Sequence, residues 1–156
     1  KLLKMKNYEG LQERIQKLLD DNAALKKAVN EAESKAMASE ADAILNKAED
    51  YNGIQALFVK LKDKDNKGLK EYAETLRNKL QNGFVFVSNE ANGKMTLVCA
   101  ASKEAIAKGI KAGDVVKTAA MICGGNGGGR ADMAQAGAKD PSKIDEAIAK
   151  VKELLK

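Results

Sequence analysis

Residues Gly124-Gly125-Asn126-Gly127-Gly128-Gly129-Arg130-Ala131-Asp132 place five glycines in six positions and follow them at once with an arginine. Glycines this dense give up backbone entropy that a plain connecting loop has no reason to lose. Two uses fit. Either backbone packs closely on backbone, or the glycine N–H groups come close to a ligand. Consecutive N–H groups of such a run form a concave anion site. Arg130 adds a planar donor fork that suits a phosphate or a base edge. The run is not a phosphate-binding P-loop, because the Gly-Lys-Ser/Thr ending is missing, and it lacks the strand-before, helix-after context of a dinucleotide fingerprint.

Other chemistry is scarce. The 156 residues contain no histidine. That removes the commonest general base, the Ser/Cys–His–Asp triads and most zinc hydrolase sites. Cys99 and Cys123 have no metal spacing and sit in apolar surroundings, so they read as buried small hydrophobes of a reducing cytoplasm. Asp63 and Asp65 lie among Lys62, Lys64 and Lys67 in a hydrophilic turn, and a lone Asp-x-Asp is a poor magnesium site. No catalytic constellation and no cofactor or metal site is expected in this chain.

The elements that must position the glycine run fall into two parts, an α+β arrangement. Residues 1–50 read as a helical, coiled-coil-like stalk and residues 51–156 as a small mixed α/β globule. After Gly10 the chain runs to Asp50 without glycine or proline and is rich in Ala, Leu, Lys and Glu. Its apolar positions form a heptad: Leu11, Leu18, Leu25, Ala32 and Ser39 in one series, Ile15, Asn22, Val29, Ala36 and Ala43 in the other. Leucine at d, β-branched residues at a and one buried asparagine favour a parallel pair, with Asp21 and Lys26 placed to pair across it. Leu11, Ile15, Leu18, Asn22, Leu25 and Val29 are the dimerisation candidates. Packing on a helix that contains Leu2, Leu3 and Met5 is the intramolecular alternative. Helix from Leu11 to Ala48 would form a rod of roughly 57 Å.

Asp50-Tyr51-Asn52-Gly53 marks the boundary. Beyond it, Ile54 to Leu61 reads as a strand. Leu69, Tyr72, Ala73, Leu76 and Leu80 form a helical stripe, with Asp65 or Asn66 as its start and Asn82-Gly83 as its end. Phe84 to Val87 and Met95 to Ala100 read as strands joined at Asn92-Gly93, a hairpin signal. Ser102 caps a short helix. Asp114 to Ile122 should be a buried helix, Cys123 to Arg130 a glycine loop, and Asp140-Pro141 the opening of a final helix. No run approaches the roughly 20 apolar residues of a membrane span. The chain opens at Lys1 inside helical sequence without Met, which fits a segment cut from a longer protein.

Charge divides along the same boundary. Residues 1–50 hold 9 basic and 10 acidic side chains, and residues 51–156 hold 18 and 12. A globule of net +6 against a stalk of −1 favours a polyanion as partner.

From Gly124 through Arg130, Asp132, Gln135 and Gly137 to Asp140-Pro141, the sequence resembles the signature of the DHH-associated domain at the C-terminus of alanyl-tRNA synthetases: a glycine run, Arg, a two-residue step to Asp, then Ala-Gln and small residues. Ala138 departs from it, standing where the family usually has another glycine. In the related DHH phosphoesterases a histidine typically follows the glycines, whereas here Arg130 does. The resemblance implies a non-catalytic, cytoplasmic tRNA-binding appendage that engages the elbow of alanine tRNA, couples aminoacylation with editing and contributes to dimerisation. ATP, magnesium and zinc would belong to other domains of the parent ligase, which are further partners. On this reading Gly124, Gly125, Gly127, Gly128 and Gly129 approach sugar-phosphate or an exposed base, Arg130 hydrogen-bonds there, and Lys94, Lys108, Lys111, Lys117, Lys139 and Lys143 neutralise phosphates. Asp132 reads as a cap or turn residue, Gln135 as packing or a backbone hydrogen bond. Two other readings stay open: the nucleic-acid-binding lobe of a phosphoesterase, and a purely structural dimerisation module.

Overall fold

A computed structural model of the chain describes residues 10–156. It contains one long helix and a mixed six-stranded sheet with helices on both faces. The helix α1 spans Leu11–Leu45, about 52 Å at 1.5 Å per residue. Its end packs into the globule: Ala41 is fully buried, and Ile44 and Leu45 pack against the core cluster that holds Leu57, Leu69, Leu76 and Val85. The sheet already begins at Glu49–Tyr51 (β1), so Glu49 and Asp50 belong to the sheet and not to the helix. Leu2, Leu3, Met5 and the side chain of Ser39 lie outside the described residues.

β1 pairs antiparallel with β2 (Ile54–Lys62), and β2 runs parallel to β3 (Gly83–Ala91) through the crossover helix α2 (Leu69–Lys79). A parallel pair needs such a crossover, and the stripe of Leu69, Tyr72, Ala73 and Leu76 supplies the face that packs on the sheet. α2 does not start from an Asp65 or Asn66 cap. Gly68 holds the cap position, while Asp65 accepts a hydrogen bond from the Lys67 N–H at 3.1 Å. Asn92 and Gly93 have φ of 53° and 70°, the pair of left-handed residues a two-residue hairpin turn requires, and they return the chain into β4 (Lys94–Ala101).

Ser102 caps α3 (Lys103–Ala107) by accepting from the Ala105 N–H at 3.2 Å. α4 (Ala112–Ile122) buries Val115, Val116, Ala119 and Ala120. The segment after it corrects the expected glycine loop: Asn126–Gly129 is an edge strand, β5, and Met133–Ala138 is its partner, β6. The sheet order is β1-β2-β3-β4-β6-β5. Asp140 accepts from the Ser142 N–H at 3.1 Å and opens a single 3-10 turn before the last helix, α5 (Ile144–Leu154).

Two cores result. Phe84, Phe86, Leu97 and Cys99 face α4 and α5, with Ala134, Ala136 and Ala138 of β6 in the same cluster. Val85, Val87, Val98 and Ala100 face α2 and the end of α1. β3 is covered on both sides, which explains why its residues from Gly83 to Asn89 are all buried.

Candidate nucleic-acid interface

The two faces of β5 have different duties. Toward α4 there is no room for side chains. A Cβ on Gly127 would lie 2.3 Å from the Cα of Ala136, and one on Gly129 would lie 2.7 Å from the Cα of Ala134. Gly125 is tighter still, 2.0 Å from the Gly137 carbonyl oxygen. Toward the other face two positions are bare: nothing lies within 4 Å of the Cβ positions of Gly128 in β5 and Gly137 in β6. Gly124 also has open space and a φ of +65°, the left-handed residue that ends α4. Close packing of backbone on backbone therefore accounts for one face of the glycine run, and strand alternation leaves the other face open.

The bare side opens a groove of about 610 Å³ on the α2 face of the sheet, lined among others by Lys70, Thr96, Asn126, Gly128, Arg130 and Gln135. The register builds its floor. Thr96 stands opposite Gly137, which stands opposite Asn126; Gln135 stands opposite Gly128. Lys70 comes from the first turn of α2 and Arg130 from the β5–β6 turn.

Arg130 is mostly exposed, and its Nε lies 3.1 Å from Oδ1 of Asp132 while Nη2 donates to Oδ2 at 3.3 Å. This exposed pair contributes only ~0–1 kcal/mol to stability, but it orients the guanidinium and leaves further N–H donors free for a ligand. Asp132 thus holds the Arg130 guanidinium in place. Among the described residues the side chains of Gln135 and Thr96 have no hydrogen-bond partner. Gln135, read as packing or a backbone hydrogen bond, stands half-buried at the groove and makes no backbone hydrogen bond through its side chain. Two cations, two amides and a hydroxyl around a glycine floor can take a phosphate together with the edge of a planar base.

The six candidate lysines do not converge. Lys94 opens β4 and Lys139 follows β6, so the antiparallel register puts them at one end of the sheet, near Asn126. Lys111 lies at the opposite end beside Arg130, because the Ala112 N–H donates to the Ala131 carbonyl at 2.9 Å. Lys117 projects from α4 on the other face of the sheet, and Lys143 sits in the turn before α5. Lys108 donates to the carbonyl of Asn52. Lys70, Thr96 and Asn126 were not among the sequence candidates. Asn126 sits inside the glycine run and carried a signal; Lys70 and Thr96 join the groove only through the topology.

Cys99 and Cys123 are buried, and burial pushes both thiols up, with Asp140 and Glu146 adding to the shift at Cys123. Neither is placed to act as a thiolate. Among the described residues no three His, Cys, Asp or Glu side chains converge to hold a metal, and no helix is long and apolar enough to cross a membrane.

Residues 53–156 match the DHHA1 domain. The chain belongs to the DHHA1 domain family. Alanine–tRNA ligase of Acetivibrio thermocellus is 43% identical over 135 residues, 86% of this chain and 15% of that protein. The enzyme of Oceanobacillus iheyensis is 40% identical over 94% of this chain and 17% of its own length. This DHHA1 domain therefore spans less than a fifth of the curated relatives it matches. The C-Ala domain of Aquifex aeolicus alanyl-tRNA synthetase superposes with a TM-score of 0.65 at 30% identity, over 69% of this chain and 96% of that one. The resemblance read from Gly124 to Asp140 thus extends to sequence and fold: the chain is a DHHA1 domain of the alanyl-tRNA synthetase type. RecJ of Thermus thermophilus matches 97% of this chain and 21% of its own at a TM-score of 0.54 and 16% identity, which is a likeness of fold alone.

Proposed function

We propose that this DHHA1 domain is the non-catalytic tRNA-binding C-terminal part of a cytoplasmic alanine–tRNA ligase. Residues 51–156, with Glu49 and Asp50 completing the edge strand, form the RNA-binding globule, and the helix before them, anchored at its end in the globule, serves as the stalk that joins it to the rest of the enzyme or to a second copy. The globule engages the elbow of alanine tRNA and keeps one tRNA within reach of the aminoacylation and editing domains, which hold the ATP, magnesium and zinc. The observation that supports this most is the groove itself, where Arg130 and Lys70 flank a floor made bare by Gly128 and Gly137. Nucleotide-by-nucleotide protection of tRNA by the chain tests it. Protection of the elbow, weakened by Arg130→Ala with the fold intact, is expected; protection confined to the acceptor stem, or none, rejects the reading.

Dimerisation through α1 is part of the same proposal. Ile15, Leu18, Leu25 and Val29 are 44%, 48%, 66% and 55% exposed on a helix whose opposite end is anchored in the globule. Large apolar side chains repeated on one face of a helix suit a partner helix.

A further inference from the structure

From the last residue of β2 to the first turn of α2 the chain carries Lys62, Lys64, Lys67 and Lys70 against only Asp63 and Asp65. This segment is a built loop. The Asp63 N–H donates to the Glu90 carbonyl at 2.7 Å. Asn89, 1% exposed at the end of β3, clasps the loop from inside: its Oδ1 accepts from the Lys64 N–H at 3.2 Å, and its Nδ2 donates to the Lys64 carbonyl at 2.8 Å and to Oδ1 of Asn66 at 3.0 Å. A buried amide with three bonds to one loop fixes the backbone from which the lysines project.

Position gives this loop a use. β2 and β3 end where β4 begins, where β6 ends and where β5 begins, so Lys62, Lys94 and Lys139 share one end of the sheet with Asn126. The loop leads from that end into α2, whose Lys70 lines the groove beside Thr96 and Asn126. Elsewhere in the globule some cations are matched, Lys60 with Asp145, Lys150 with Glu153, Lys152 with Glu49 and Arg130 with Asp132, while Lys103, Lys111, Lys117 and Lys143 enter no ion pair among the described residues. Among the described residues Lys62, Lys64, Lys67, Lys70, Lys94 and Lys139 enter no ion pair. An unmatched set of cations at one sheet end, four of them on a backbone held in place, has a ready use as a ledge for a polyanion.

We propose that the Lys62–Lys70 loop, clasped by Asn89, is a preformed ledge for a nucleic-acid phosphodiester backbone, and that the strand it holds enters the groove at the Lys70–Asn126 end and leaves at Arg130. The inference rests on the tRNA-binding reading and adds which end of the globule takes the backbone. Lysines on a prearranged loop lose little order on binding, and each phosphate they neutralise releases counterions.

The test measures tRNA affinity of the chain at several salt concentrations. Three proteins are compared: wild type, Lys64→Gln/Lys67→Gln/Lys70→Gln, and a control with equal charge removed elsewhere, Lys17→Gln/Lys27→Gln/Lys150→Gln. At about 0.7–0.9 of log–log salt slope per phosphate, the ledge variant should lose about 2–3 from the slope, and the control should keep it. A slope unchanged in the ledge variant, or lowered equally in the control, overturns the ledge while tRNA binding stands. No tRNA binding by wild type overturns the ledge together with the reading beneath it.

Discussion

Gly113 and Gly129 meet where α4 crosses β5: a Cβ on Gly113 would stand 2.7 Å from the Gly129 carbonyl oxygen. Helix and edge strand therefore touch backbone to backbone, and the glycine floor of the groove is held from behind by α4. Alanine normally improves a helix over glycine by about 1 kcal/mol. Here the added methyl meets backbone that cannot swing away. Gly113→Ala should therefore destabilise the chain, by about 1–3 kcal/mol as overpacking does, and urea unfolding reads it directly. A stabilised Gly113→Ala would show that α4 and β5 are not in close contact.

Gly127 and Gly128 are neighbours with opposite demands. Gly127→Ala places its methyl 2.3 Å from Ala136 and should cost about 1–3 kcal/mol in stability. Gly128→Ala meets nothing within 4 Å and has no left-handed φ, so it should keep or raise stability by up to about 1 kcal/mol. Its methyl stands on the groove floor, and tRNA affinity should fall about tenfold, ~1.4 kcal/mol. Denaturation and tRNA titration of the two variants separate packing from binding. Full tRNA affinity in Gly128→Ala would remove the floor from the site.

What could be read in advance follows from how local each signal is. The Asn92-Gly93 turn, the Ser102 cap and the stripe of α2 depend on a few neighbouring residues, and each stands where its local chemistry puts it. β5 and β6 carry no such signal. Asn126–Gly129 and Met133–Ala138 are glycine and alanine for the most part, residues that favour strands least. They are strands because α4 presses β5 onto β6 and because β4 offers β6 a ladder, both long-range effects. The same holds for the site. Arg130 and the glycines announce themselves, whereas Lys70 and Thr96 reach the groove only once α2 and β4 are laid beside β6. Lysines that stand out by charge alone scatter over both faces for that reason.

The exposed stripe of α1 predicts an assembly. Leu18 and Leu25 are 48% and 66% exposed in the single chain, so truncating them leaves the globule untouched. In a paired helix each would sit at a d position, where removing a leucine costs about 2–5 kcal/mol. Leu18→Ala/Leu25→Ala should turn a dimer into a monomer of unchanged thermal stability in the globule, as sedimentation equilibrium shows. A wild-type chain that sediments as a monomer at high concentration rejects pairing through this face.

Tyr51 closes the edge of the sheet at β1 and predicts an alkaline limit. It donates a hydrogen bond to Glu49, which in turn accepts from Lys152 Nζ at 2.6 and 2.9 Å and ties α5 to β1. Partial burial, and then the bond to Glu49, push the Tyr51 hydroxyl up to about 12. The fold favours the protonated phenol. The resulting stabilisation is whole below the ordinary tyrosine value near 10 and drains away as pH rises from there through about 12. Tyr51→Phe should remove that part of the alkaline loss. It should also delete a step near pH 12 from the tyrosinate absorbance of the native chain. If Tyr51→Phe and wild type lose stability in parallel between pH 10 and 12, the β1 hydroxyl has no hold on α5.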